Sequence, residues 1–572
     1  MPPVVRIRSR PAGRAILIGA LLAALAILPF LGALSNDFIG DDFGIVKGDP
    51  RVWNLSKALR FFTEPYWKDA VGPAPPAYRP VVQFTYALNH AVTGLRPGPF
   101  HAVNLLLHAL VTLLLVRVAL RAGASEGAAF WAGALFAVHA VHVEAVVSVV
   151  GRAELLAAAG VLSALLIHAP PDTPGAGASP DPAPRASWNP RRPLLAALLF
   201  LLGLGSKENA AAFLGLAPAL DAARAMPRHE AGLALRRGLP AYALYAAAGV
   251  LYLLARHHAF ASVLEHMEEM DYRIINPIYD APTSVRVLTA IAVMSLATRL
   301  LLFPISLNAF YAALCIPPAH SILDARVLCG AGTIVLAIAA LLFALRRGAT
   351  VFFALMLVGL AYGPVSNLVV PIGWIFGERF LYLPSAGAAI LAGLWFTGTA
   401  GRSPPVHGAD ARRVLALVLA GLAVALMAIL TTHRVPDWHS DRTLMRAAIR
   451  VCPASLIAHG VLASTYMKSG SFDEAIRELT ILRRLDPRNA DYVTGLGECY
   501  RAKYQTDRAE VYYRQALLMD PAQLPAAQAL GAVLLAQGKA EEASRIYLEA
   551  LRASEEKARA RLLREREMSR ER

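Results

Sequence analysis

Charge is scarce in this chain of 572 residues: Asp, Glu, Lys and Arg together make up 17%, where a soluble globular protein carries about 25%. Hydrophobic residues reach 56% and sit in blocks. A disordered chain, a coiled coil and a single water-soluble domain are thereby excluded, and a polytopic membrane protein is indicated. Cysteine is equally sparse. Cys315, Cys329, Cys452 and Cys499 form no CxxC pair, and no nearby His completes a zinc pattern. No nucleotide, flavin or haem motif appears. Acids are outnumbered by bases, giving a formal net charge of +15. Nucleic acid is not the partner this implies, because the bases fall in short clusters at the ends of apolar runs, as in the cytoplasmic loops of membrane proteins.

What is present divides at about residue 433. Before it, apolar runs lie near 15–34, 101–119, 128–140, 153–168, 193–205, 209–223, 239–256, 326–345, 350–370, 381–399 and 413–432. Arg6, Arg8, Arg10 and Arg14 precede the first run and put the N-terminus in the cytoplasm. The run 285–303 is ambiguous. If it does not cross, Arg346, Arg347, Arg412 and Arg413 all fall inside, so about eleven spans and an extracytoplasmic C-terminal region are expected. The segment carrying Glu265, Glu268, Glu269 and Asp271 then falls outside. The domain reading is a multi-span body over 1–433, with a first external loop at 35–100 and an external or interfacial segment at 257–325. A Pro/Gly/Ala-rich stretch at 169–192 reads as a flexible cytoplasmic loop.

Beyond a linker and partial repeat helix at 434–455, the chain repeats every 34 residues over 456–557. Ala475, Ala509 and Ala543 keep this spacing, as do Leu462, Leu496 and Leu530, and Asp486-Pro487 recurs as Asp520-Pro521. Ala463, Gly497 and Gly531 supply the small position. This is the tetratricopeptide period. Gly470 and Gly538 match each other, but Tyr504 breaks that set. Such an array offers a concave surface for a peptide or protein, or a scaffold for oligomerisation. Residues 558–572 read as a charged capping helix.

The polar residues of the membrane part are few. Asp41 and Asp42 lie just beyond the first run, in a Gly-containing loop that ends in Arg79. A carboxylate there could take a proton from an acceptor hydroxyl or hold a cation; the plainer reading is a solvated turn. His101, Asn104 and His108 share one helical face, either facing a cavity or bonding between helices. His139, His142 and Glu144 resemble a metal cluster, but their order is not HExxH. Arg152 and Glu154, Lys207 and Glu208, and Glu378 and Arg379 each place an acid beside a base, for a structural pair or a lipid-phosphate contact. Asp41, Asp42, Arg79, His101, His139, His142, Glu144, Arg152, Lys207, Glu378 and Arg379 all fall on the extracytoplasmic side of the expected topology. Convergence on one face indicates one cavity, whereas scattered structural polars would populate both.

The ordered set NDFIGDDFGIV, YRPVVQFTYALNH, GPFHAVNLLLH, AVHAVHVEAVVSVVGRAELL, SKEN, PTSVRVLTAIAVMSLATRLLLFP, GERFLYLPSAG and PDWHSDRTLM resembles the transmembrane and tetratricopeptide repeat-containing (TMTC) protein O-mannosyltransferases and their bacterial relatives. The resemblance spans nearly the whole chain. It implies an all-α, GT-C type glycosyltransferase of about eleven spans followed by a repeat solenoid, set in a bacterial inner membrane with the repeats in the periplasm. The donor would be a polyprenyl-phosphate sugar, most simply mannose, and the acceptor a protein Ser or Thr hydroxyl delivered near the repeats. Asp41 or Asp42 would be the base. Arg79, His101, His139, His142, Glu144, Arg152, Glu154, Lys207, Glu208, Glu378 and Arg379 would bind donor phosphate or substrate. A divalent cation is allowed and not demanded. The chain departs from the family at Ala140, where a proline is usual, at Asn209, where a glycine is usual, and in having only about three repeats. The rival readings are a non-enzymatic membrane scaffold, a lipid-linked sugar flippase, and an enzyme acting on a glycan or lipid.

Overall fold

The computed structural model describes residues 12–67, 77–169, 190–261, 275–312, 314–398 and 409–570. The arginines at positions 6, 8 and 10, most of the 169–192 stretch and the acids at 265–271 lie outside the described residues. Clustering divides the chain into two compact units, Met1–Ser440 and Asp441–Arg572.

The first unit is built from helices and connecting loops, and its only β pairing among the described residues is a single bridge between Tyr311 and Phe376. Its helices are α1 (Ala12–Ile27), α2 (Pro80–Thr93), α3 (Pro97–Arg121), α4 (Glu126–Val138), α5 (Val143–Val147), α6 (Arg152–His168) and α7 (Arg191–Leu204). There follow α8 (Phe213–Ala225), α9 (Ala231–Ala261), α10 (Thr283–Leu302), α11 (Ala325–Arg347), α12 (Ala349–Tyr362), α13 (Tyr382–Gly398) and α14 (Ala409–Arg434). Local chemistry sets their starts. Pro80 and Pro97 sit where a missing N–H does no harm. Ser125 and Asp324 accept from the amides of Ala128 and Arg326 to cap α4 and α11.

Among the described residues, seven helical stretches are long and apolar enough to cross a membrane, and eight if the bent pair Glu126–Val138 and Ala140–Val147 counts as one span. Each of the eleven runs expected to cross does form a helix. Four of them, α6, α7, α8 and α12, have 13 to 17 residues, short of the about 20 that a straight span needs. The run 285–303 differs in the other direction. It forms α10, which at 20 residues is long and apolar enough to cross. Loop charges, which argued against a crossing, carry no information about helix length.

Outward faces are apolar. Val335, Leu336 and Leu342 on α11 and Leu422 and Leu426 on α14 are exposed, as lipid-facing side chains are. Lipid tails provide no hydrophobic drive between helices, so close packing must. Accordingly α4 packs on α13, α12 on α13 and α6 on α7. The α6–α7 seam is glycine on glycine: a Cβ on Gly160 would fall 2.8 Å from the Gly203 Cα and 2.9 Å from the Leu199 carbonyl oxygen.

The second unit opens with α15 (Asp441–Val451) and continues as three helix pairs: α16 (Leu456–Lys468) with α17 (Phe472–Leu485), α18 (Ala490–Ala502) with α19 (Thr506–Met519), and α20 (Leu524–Ala536) with α21 (Ala540–Arg570). The charged tail expected from 558 is the continuation of α21, one helix of 31 residues. The small position works as read at Gly497, where a Cβ would meet the Tyr513 ring at 2.5 Å; at Gly531 the space is open. Tyr504 takes the left-handed conformation (φ 60°) that Gly470 (74°) and Gly538 (78°) take at the matching turns.

Candidate active site

Loop 36–49 leaves α1 through a short 3-10 segment and carries both aspartates, which part company at once. Asp42 is wholly buried. Its Oδ2 accepts from the Ile39 amide at 3.1 Å and its Oδ1 from the Val150 amide at 3.0 Å. Burial outweighs these bonds and pushes its carboxyl up to about 7. Asp41 is exposed and makes no hydrogen bond or ion pair among the described residues. The surrounding protein still desolvates it and raises its carboxyl, while Arg379 and Arg79 pull in the opposite sense. Asp41 is thus open to solvent, with Arg379 and Arg79 close enough to act on its charge.

Three ion pairs belong to the same electrostatic neighbourhood. Arg379, opening the turn before α13, donates from Nη1 to the Glu144 Oε1 at 2.7 Å and from its own amide to Oε2 at 2.8 Å. Arg79, at the start of α2, meets Glu208 at 3.4 Å. Lys207 pairs with Glu154 of α6, whose other oxygen accepts from the Asn209 Nδ2 at 2.8 Å. The pairs sense one another. Lys207 is lowered chiefly by burial, against Glu154, and further by the nearness of Arg79 and Arg379. For Glu208, burial opposes the charge most strongly, yet Arg79, a backbone amide, Lys207 and Arg256 together hold the carboxyl below its usual range. Aromatic rings back the cations: Arg79 lies 5.4 Å from the Tyr66 ring, Lys207 5.4 Å from Phe380 and Arg379 4.9 Å from Trp374.

The structure therefore brings together Asp41, Arg79, Glu144, Glu154, Lys207, Glu208 and Arg379. It places the other named residues in the packed interior. Arg152 is fully buried, and all of its donors are used. Nε bonds the Asn104 Oδ1 at 3.0 Å, Nη1 bonds the Thr85 carbonyl and hydroxyl at 3.3 and 3.4 Å, and Nη2 bonds the Asn89 Oδ1 at 3.0 Å and the Phe100 carbonyl at 2.9 Å. No donor is left for a ligand phosphate. His142 bonds the Ser385 hydroxyl at 2.7 Å, and His108 bonds the Tyr382 hydroxyl at 2.8 Å and the Ala137 carbonyl at 3.0 Å. His139 meets the Leu301 carbonyl at 3.0 Å and accepts from the Val141 amide at 3.3 Å, tying the bend between α4 and α5 to the end of α10. Glu378 is buried, taking bonds from the Asn308 amide and, at 3.0 Å, the Tyr311 hydroxyl. His101 is buried with neither ring nitrogen bonded among the described residues. Among the described residues, no group of three or more His, Cys, Asp or Glu could hold a metal ion, so His139, His142 and Glu144 do not form the cluster their spacing resembles.

One member was missed. Arg256, near the end of α9, joins the cluster through its field on Glu208 and on Tyr252. In the sequence it follows an apolar run and precedes His257 and His258, so it reads as an ordinary span-end marker; only its helical phase with Tyr252 could have singled it out.

Comparison with known proteins agrees with the resemblance. The chain is 25% identical over 525 residues to mouse Protein O-mannosyl-transferase TMTC3, covering 88% of this chain and 55% of that protein. It is 28% identical over 530 residues to human Protein O-mannosyl-transferase TMTC1, covering 86% and 57%. It thus spans about half the length of the curated relatives it matches. The tetratricopeptide repeat family model matches residues 490–523, the α18–α19 pair. A solved oligosaccharyltransferase from Archaeoglobus fulgidus overlaps 73% of this chain and 56% of its own at 11% identity, with a TM-score of 0.37. The chain is a multi-pass, all-α membrane protein with a C-terminal tetratricopeptide unit, and its similarity runs to the TMTC proteins.

Proposed function

We propose that this protein is a GT-C type glycosyltransferase that moves a sugar, mannose, from a polyprenyl-phosphate donor to Ser or Thr hydroxyls of extracytoplasmic proteins. The observation that carries this reading is the contrast between Asp41 and the acids around it. Glu144, Glu154 and Glu208 are each tied to a cation, whereas Asp41 is open and unpaired. A free carboxylate inside a rigid frame of neutralised charges suits a general base. Its raised carboxyl brings its proton affinity closer to neutral pH, where such a base works best.

In this mechanism Asp41 orients the acceptor hydroxyl and takes its proton. The hydroxyl oxygen bonds to the anomeric carbon while the bond from that carbon to the phosphate oxygen breaks. Polyprenyl phosphate leaves with inversion at carbon. Arg79 and Arg379 flank the base and stabilise the charge that develops on the leaving phosphate. Asp42 acts through Asp41: its two backbone bonds lock the loop that presents the neighbour. Arg152 fixes α2, α3 and α6 against one another, and the histidines hold α3, α5 and α13. The repeats hold the acceptor protein, the N-terminus is cytoplasmic, and the membrane is the inner membrane of a bacterium.

The deciding experiment incubates the purified protein with radiolabelled polyprenyl-phosphate mannose and periplasmic extract. Label is expected in protein, and it is lost with Asp41→Asn while folding and insertion persist. Equal labelling by wild type and the variant overturns the reading.

A further inference from the structure

We infer that Arg256 receives the phosphate of a membrane-embedded lipid donor, at the point where the polar cluster meets the lipid-facing surface of α9. The inference rests on the glycosyltransferase reading above and adds to it the headgroup contact and the side of entry.

The cluster's charges nearly cancel. Arg79, Lys207 and Arg379 are matched one to one by Glu208, Glu154 and Glu144. Two charges remain, and they are opposite: the Asp41 carboxylate and the Arg256 guanidinium. Among the described residues Arg256 makes no hydrogen bond or ion pair, and its Nε is buried without a partner. An arginine whose Nε is withdrawn from water with no acceptor is incomplete, and its planar fork matches a phosphate. The side chain is held ready, because it lies over the Phe260 ring, 5.6 Å from the centroid.

Helical phase explains why the ligand is a lipid. Tyr252, Arg256 and Phe260 are four residues apart and share one face of α9. Tyr252 and Phe260 are buried, and the Tyr252 hydroxyl donates to the Tyr78 carbonyl at 3.2 Å, next to Arg79. The neighbouring positions Val250, Leu251, Leu253 and Leu254 are all more than half exposed. Arg256, half-buried, stands at the seam between these two faces. An amphiphile whose chain runs along the outward leucines would bring its phosphate to Arg256. Its sugar would then reach past Tyr252 and Arg79 towards Asp41.

The test measures binding of a polyprenyl phosphate to the full-length protein in detergent, alongside the matching polyprenol and inorganic phosphate. Wild type is expected to bind the polyprenyl phosphate. Arg256→Gln should weaken that affinity about 10- to 100-fold, the loss of a charge-assisted bond, and leave polyprenol binding unchanged. Arg256→Lys should recover part of the loss, and the melting temperature of each variant reports folding separately. If wild type binds and Arg256→Gln binds equally well, the inference is overturned and the enzyme reading stands. If wild type binds no polyprenyl phosphate, the enzyme reading itself fails and takes this one with it. If inorganic phosphate displaces the lipid at equal concentration, the site is one for a free anion and the lipid assignment falls.

Discussion

The Asp42 carboxylate accepts a hydrogen bond from the amide of Val150 at 3.0 Å, across 108 positions of sequence. It thereby fastens the loop after the first helix to the turn that begins α6. Asp41, one residue earlier, is left exposed and within the influence of Arg379 and Arg79. The same turn carries Arg152 and leads to Glu154, so one bond sets the distance between the free acid and the ion-paired frame.

Asp41→Asn should lower the rate of sugar transfer roughly 10²- to 10⁴-fold, the range for loss of a general base. The melting temperature should hold, because the side chain makes no bond within the protein. Initial rates with labelled donor, measured beside a melting curve, check both halves.

Asp42→Asn should act mainly on stability. An amide places an N–H opposite one of two backbone donors and leaves it unsatisfied in the interior, at a cost of about 1–3 kcal/mol. The pH dependence follows from the raised carboxyl. The folded state holds this proton more tightly than the unfolded chain does. The associated stability is complete below the ordinary value of 3.8 and is lost as pH climbs through about 7. Melting temperatures taken across that window should fall with pH in wild type and fall less steeply in the variant.

Glu154→Gln should destabilise the membrane unit by about 3–5 kcal/mol, since it leaves the buried Lys207 ammonium without its counter-charge. Adding Lys207→Met should restore much of the loss, because the pair is then removed together. Thermal melts of the single and double variants in detergent decide this; equal melting of the two would show that the pairing contributes nothing.

Tyr504→Gly should stabilise the second unit by about 1 kcal/mol, the relief of a left-handed backbone at a residue with a Cβ. The ring is 94% exposed, so little packing is lost. Slower amide exchange across 490–536 in the full chain is the expected signature.

Gly160→Val should force α6 from α7, because its Cβ has no room against the Gly203 backbone. A cost of about 1–3 kcal/mol is expected. Glu154 is on α6 and Lys207 follows α7, so transfer activity should fall further than that destabilisation alone would bring about.

Much of the architecture was legible because its physics is local. A 34-residue period needs only Ala475, Ala509 and Ala543 in phase, and apolar runs identify helices whether or not they cross. Crossing was harder to read: α10 has the length of a span, while loop arginines argued the opposite. The site was half legible. Acids and bases at span ends marked Arg79, Glu144, Glu154, Lys207, Glu208 and Arg379 as a group. Sequence could not separate Asp41 from Asp42, whose environments differ through a bond to Val150. Nor could it show that Arg152 is consumed by Thr85, Asn89, Phe100 and Asn104, or that Arg256 is spare. Which donors are already occupied is a property of three-dimensional neighbours, and spacing does not encode it.

The three matched ion pairs have a consequence for how the protein responds to ionic strength. Glu144 and Glu154 lie inside the fold, so dissolved ions cannot slip between them and their partners, and screening weakens buried pairs far less than open ones. Raising the salt should therefore leave the Glu144–Arg379 and Glu154–Lys207 pairs largely intact, and dim the half-exposed Arg79–Glu208 pair and the attraction exerted by the unmatched guanidinium at the lipid boundary.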